Sequence, residues 1–299
     1  MPRQREVSGH TMVTLLNILI AGLLLGGLYA LIAVGLSLQY GVAHVLNISH
    51  GEFIMLGALM AWTSYTVFGF NPLASIAIIG PLTFILGFVI HRTLFKRLLA
   101  TSASPAIFES NSMLASFAIY FIIQNIASII WGTETRGYSY LRVPLTLAGA
   151  VFGANRLVTL GFALTIGLVF YLFVTRTRTG KAIRAAAQDP STAGLMGVNI
   201  DWVLALCFGL GAAMAGIAGM LISLCYPVRS VMGLEYTIIA IIVVVLGGLG
   251  SIPGSFIGGF ILGIIGSVVT HLDPGLSLVA YYLIFTLLLL VRPTGIMGR

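Results

Sequence analysis

Residues 175–201 read T-R-T-R-T-G-K-A-I-R-A-A-A-Q-D-P-S-T-A-G-L-M-G-V-N-I-D. Four cations, Arg176, Arg178, Lys181 and Arg184, fall within nine residues, and long apolar stretches flank the segment on both sides. Cations clustered between membrane spans mark the cytoplasmic face. This segment therefore sets how the chain is threaded through a bilayer. Its local structure is legible too. K-A-I-R-A-A-A-Q is a run of good helix formers, with Thr179 expected as its cap. Pro190 cannot continue that helix. Asp189 is expected to cap a second short helix with Pro190 at its first position. Gly194 and Gly197 keep that helix short, and Asn199 opens the next span. Ile183, Ala187, Leu195 and Met196 have no cover within the loop, so an apolar and basic knob is expected on the cytoplasmic side. Such a knob suits docking into a groove on a soluble partner. A helical loop lying on anionic headgroups is the other reading.

Composition sets the class. The chain has 299 residues, 59% of them hydrophobic and 8% charged, where a soluble domain carries about 25% charge. This predicts an all-α polytopic membrane bundle, a single transmembrane domain over residues 1–299, with no room for a soluble catalytic domain. The net charge of +7 implies no nucleic-acid partner, because the excess lies in short loops where membrane topology places it. The two cysteines, Cys207 and Cys225, share one apolar segment and read as helix residues, not as a disulfide or metal pair. No Ala-x-Ala site follows the first apolar run, which is expected to be retained.

Going outward from the basic loop, spans are expected at Leu157–Val174 before it and Trp202–Tyr226 after it. Further spans are expected at Phe53–Phe68, Leu73–Ile90, Asn111–Trp131, a short Tyr236–Leu246, Phe256–Thr270 and Leu276–Val291. In the first stretch, Met12–Tyr40, Met12–Leu19 is expected partly in the interface and Ala21–Leu38 as the crossing. Gly22, Gly26, Gly27 and Gly35 are expected to give close helix contacts there. His91–Arg97 is read as a second basic loop and Gly132–Asn155 as a longer outer loop without amphipathic signal. The total is eight to nine crossings. The nine-crossing model puts nine cations inside and six outside, with the N-terminus outside. Alternatively, part of residues 40–51 re-enters instead of crossing.

Two segments break their helices at membrane depth: His44–Glu52, and the glycine-rich Gly247–Gly259. Irregular backbone is tolerated there only when buried in protein or lining a water-filled cavity. Paired interruptions point to a transport site, while tight helix packing accounts for the glycines equally well. Glu52 is costly inside a span and is expected to face protein or water. Asn47, Ser49 and His50 are its expected neighbours, forming either a structural hydrogen-bond cluster or part of a pathway. The pathway candidates are Asn47, His50, Gly51, Glu52, Gly247, Gly248, Gly250, Ser251, Pro253 and Gly254. The five histidines are scattered, and no hydrolase, metalloprotease or Walker motif occurs. No catalytic or metal-binding residue is expected, and the chain is read as unable to hydrolyse ATP.

The chain resembles the permease subunits of branched-chain amino acid ABC transporters, of the high-affinity leucine/isoleucine/valine type. The likeness rests on G-L-Y-A-L-I-A-V-G-L-S-L-Q-Y-G at 27–41, N-I-S-H-G-E-F-I-M-L-G-A at 47–58, R-T-G-K-A-I-R-A-A-A-Q-D-P-S-T-A-G-L-M-G-V-N at 178–199, G-G-L-G-S-I-P-G-S-F-I-G-G at 247–259 and R-P-T-G-I-M-G at 292–298. It looks like the shorter permease of such a pair. Ser49 departs from the alanine of many relatives, and the family also takes urea and short amides. The resemblance implies a second homologous permease subunit, two cytoplasmic ATP-binding subunits holding ATP and magnesium, and an extracytoplasmic substrate-binding protein. It also implies a place in the bacterial inner membrane, with the 132–155 loop on the binding-protein side. It implies that Arg178, Gly180, Lys181, Arg184, Ala187, Asp189, Pro190, Ala193, Gly194, Leu195 and Gly197 form the coupling element. A stand-alone ion-coupled carrier or channel using Glu52 is the alternative.

Overall fold

The computed structural model describes residues 2–147, 150–292 and 294–298. Among them the chain forms helices α1 (Pro2–Ala43), α2 (His50–Thr66), α3 (Ile76–Ile90), α4 (Lys96–Thr101), α5 (Pro105–Trp131) and α6 (Ala154–Arg176). There follow α7 (Arg178–Gln188), α8 (Pro190–Leu195), α9 (Ile200–Ser223), α10 (Gly233–Gly247), α11 (Ile252–Leu272) and α12 (Ser277–Val291). Seven of these segments are long and apolar enough to cross a membrane: Met12–Ala43, Ile76–Thr101, Pro105–Trp131, Ala154–Arg176, Ile200–Ser223, Ile252–Leu272 and Pro274–Val291. The other two expected crossings are shorter helices. At 1.5 Å per residue, α2 is about 25 Å long and α10 about 22 Å.

Helix α9 is the central pillar, with no exposed residue between Val203 and Ser223. Its glycines set how close its neighbours come. A side chain on Gly216 would strike Thr83 of α3, and one on Gly219 would strike the backbone of Ile54 in α2. With little hydrophobic force between helices in lipid, such close backbone contact is the main adhesive. The second seam is antiparallel, α1 against α11. Gly22 meets Ile264, Gly26 meets Phe260 and Gly41 meets Gly250, while Ser267 donates to Ile18 O at 2.7 Å. The expected close contacts of Gly22, Gly26 and Gly35 are all present, and Gly27 lies against Leu160.

Three sequence expectations change. His91–Arg97 is not a loop: a π-helical turn, His91–Phe95, carries α3 directly into α4, and the turn before α5 is residues 102–104. Lys96, the first residue of α4, pairs with Asp201 of α9 at 2.7 Å. Second, residues 44–49 do not cross. The chain leaves α1 through His44 at φ +51° and folds back along the same helix. Third, the 132–155 loop carries an antiparallel hairpin, β1 (Pro144–Leu147) and β2 (Ala150–Gly153), with Leu145 opposite Phe152. Its strands are four residues each, too short for periodicity to reveal. Tyr138 anchors the loop to the end of α9 through Ser223 at 2.8 Å, and Asn155 donates to Leu224 O at 2.8 Å.

Candidate functional site

The 175–201 hairpin forms as two short helices with an elbow at Asp189-Pro190. Its first cap is Thr177, two residues earlier than expected. The Thr177 hydroxyl accepts from the Gly180 amide at 3.0 Å, and this brings Thr179 inside the helix. The cap moves because Gly180 must pack on the Phe173 and Val174 carbonyls at the end of α6, where no Cβ fits. Arg184 donates to Thr175 O at 3.2 Å, a cation closing the carbonyl end of α6. Arg178 and Lys181 are exposed.

At the elbow Asp189 accepts from the Ser191 amide at 2.9 Å, the Thr192 amide at 3.2 Å and the Thr192 hydroxyl. These bonds, the hydroxyl first, hold its carboxyl below the usual range. Pro190 stands at the first position of α8, as expected. Helix α8 ends through Gly197 at φ +86°, with the Val198 amide returning to Ala193 O at 3.1 Å. Asn199 caps α9, accepting from the Trp202 amide at 3.0 Å.

The expected apolar knob divides. Ile183 is 1% exposed and Ala186 and Ala193 are buried, so one face of the hairpin is keyed into the bundle. Ala187 is half-buried. The apolar spacing Ile183–Ala187 is that of a helix face, and it faces inward because α1, α6 and α9 lie beneath. Only Leu195 at 88% and Met196 at 81% remain fully presented, beside exposed Gly194. Between the ends of α1 and α9, the α4–α5 turn and Pro190 lies a cavity of about 630 Å³ that includes His44 and Glu109.

The first broken segment is densely bonded. Gln39 Nε2 donates to Phe208 O at 3.0 Å, Asn47 Nδ2 donates to Gln39 Oε1 at 3.2 Å, and Ser49 Oγ donates to Asn47 Oδ1 at 2.6 Å. Gly51 N–H donates to Thr237 Oγ1 at 2.8 Å, which itself donates to Ile48 O at 2.9 Å. A Cβ at Gly51 would collide with the Gly233 carbonyl. His50 Nε2 lies 3.1 Å from Ile32 O. Glu52 is the exception to the expected cluster. It is fully buried, it bonds to neither Asn47, Ser49 nor His50, and both its carboxyl oxygens lack a hydrogen-bond partner among the described residues. The backbone turns it away from Asn47 and against the α-carbon of Gly233.

The second break lies elsewhere. Gly248 at φ +103° and Gly250 at φ +78° make the turn, and Ser251 caps α11 by accepting from the Gly254 amide at 3.2 Å. Gly247 and Gly254 meet backbone to backbone, and Gly250 rests on Gly41. The C-terminal segment closes this end, with Ile296 N–H bonding Leu246 O at 2.9 Å and Met297 N–H bonding Gly247 O at 3.0 Å. Pro253 lines a separate, apolar cavity of about 490 Å³ with Leu164, Tyr171 and Phe256. That cavity borders the second break and includes no residue of 44–52. Helix α10 joins them: its first turn meets Ile48–Glu52 and its last residue is the start of the second break.

Comparison with known proteins places this architecture. The family described as branched-chain amino acid transport system / permease component matches residues 18–292. The high-affinity branched-chain amino acid transport system permease protein BraD of Pseudomonas aeruginosa is 32% identical over 301 residues, spanning 94% of this chain and 95% of that one. The corresponding protein LivH of Escherichia coli is 31% identical over 295 residues, with 93% and 94% covered. A probable branched-chain amino acid transport permease protein LivH of Methanocaldococcus jannaschii is 30% identical over 300 residues, with 94% and 92% covered. From its first span to its last, therefore, the chain belongs to the branched-chain amino acid transport system permease family, and it is a multi-pass membrane transport subunit, not an enzyme.

Proposed function

We propose that this chain is one permease subunit of an ATP-driven importer for branched-chain amino acids or related small amino acids and amides, in a bacterial inner membrane. A second homologous permease completes the membrane part. Two cytoplasmic subunits hold ATP and magnesium and hydrolyse the nucleotide, and an extracytoplasmic binding protein delivers the cargo to the face carrying the β1–β2 hairpin. The observation that carries this reading is the two-sidedness of α7–α8. One face is locked to α1, α6 and α9 through Gly180, Ile183 and Ala193, while Leu195 and Met196 project from the other side. A partner gripping the exposed end moves the ends of α6 and α9 with it. Those helices then carry the displacement toward the broken segments, provided the partner prefers one of two arrangements. Arg178 and Lys181 favour an acidic rim on the partner's groove.

Replacing Leu195 and Met196 together with glutamate tests the reading. Both are surface residues, so insertion and folding stay as they are. The ATP-binding subunits should be lost from the purified complex, and ATP-dependent uptake with them. Unchanged retention and uptake would remove the docking role. A hairpin that merely lies on lipid would keep its ATP-binding partners in this double variant.

A further inference from the structure

Helix α5 has one face on the bundle and one facing out. Its buried side includes Ser116, whose hydroxyl accepts from Ile48 N–H at 3.1 Å. On the outer side Asn111, Ala118 and Asn125 recur every seven residues, all exposed. At 100° per residue they stay within about 40° of one another, and each step is about 10.5 Å along the axis. Both asparagines lie six residues inside the helix ends. Among the described residues, Asn125 Nδ2 donates to Phe121 O of its own helix at 2.8 Å, and its Oδ1 and the whole Asn111 carboxamide bond to nothing. A carboxamide turned to hydrocarbon is costly. Other outer faces avoid this cost. That of α3 shows Leu82, Ile85 and Val89, and that of α12 shows Val279, Leu283 and Leu287. Among the described residues no other membrane-spanning helix exposes a carboxamide at this depth.

Seven-residue spacing with a small residue in the middle is what a left-handed helix pair requires. Carboxamides on such a seam can bond to polar groups of the facing helix. We infer that the Asn111–Ala118–Asn125 stripe of α5 is the seam on which this subunit packs against the second permease subunit. The inference rests on the importer reading above. A two-fold axis along the membrane normal would set α5 beside its counterpart in parallel, with like positions opposite each other.

The test uses the complete purified transporter in lipid. A photo-crosslinking residue at Ala118 should join this chain to the second permease, and the same probe at Leu283 of α12 should label lipid. Asn111→Leu with Asn125→Leu should weaken retention of the second permease roughly 3- to 10-fold for each carboxamide. Asn125→Gln should restore much of its share, whereas a general folding defect would lower the thermal midpoint and would not respond to Gln. Lipid-only labelling from 118, or labelling of Asn125→Cys by a water-soluble maleimide in a Cys225→Ser background, overturns the seam. If a two-permease transporter gives that result, this inference alone fails. If the active transporter contains no second permease, both readings fail.

Discussion

Glu52 concentrates the chemistry at the residue scale. A fully buried carboxyl with no partner costs stability in the arrangement it is found in. Such a cost is tolerated when another arrangement of the same helices supplies partners. Glu52→Leu should therefore stabilise this state by about 1–3 kcal/mol in thermal or denaturant unfolding, while slowing uptake. Gly233→Val should act oppositely on stability, losing about 1–3 kcal/mol because its side chain must displace the carboxyl. A Glu52→Leu protein that loses stability and uptake in proportion would make Glu52 purely architectural. Asp189 behaves differently, because its carboxyl is exposed and well bonded. Its folded-state pKa is depressed, so its contribution is fully present above the unfolded value of about 3.9 and is lost as pH falls through the folded value. Protection of the Ser191 and Thr192 amides, taken as exchange relative to the intrinsic rate at each pH, should hold across the neutral range and fall only in acid. Asp189→Ala should lack that protection at every pH. Position in the chain singles out both carboxylates, but only the packing shows that Glu52 lacks partners among the described residues.

At the element scale, the hairpin was the most legible part of the sequence and the breaks the least. Pro190 and Asn199 act through their own backbone and nearest neighbours, so their roles are local and readable. Thr177 in place of Thr179 was not, because the choice depends on Gly180 meeting α6. Ile183 misled for the same reason: an apolar face on a polar loop looks exposed until the helices beneath it are known. The glycine and polar interruptions were visible as breaks, yet where each one packs depends on pairings some two hundred residues apart, such as Gly51 with Thr237 and Gly41 with Gly250. The π-turn that merges α3 with α4 left no trace in composition, since His91–Arg97 is as basic as a loop. The β1–β2 hairpin was hidden by its length. In the proposed mechanism α6 and α9 are the two rods attached to hairpin α7–α8, and α10 runs between the breaks.

Across the whole molecule, glycine-packed seams surround the hairpin proposed as the handle. Glycine-mediated contacts tie α1 to α11 and α9 to α2 and α3. One cavity lies beneath Pro190 and another beside Pro253. Composition alone points to the membrane class, and cation placement gives the expected side of the hairpin. The most direct measurement is uptake of radiolabelled leucine into vesicles, with the permease purified alone or assembled with its ATP-binding subunits, second permease and binding protein. The account predicts uptake by the complete assembly only, dependent on ATP. Uptake by this chain alone, without nucleotide, would contradict it.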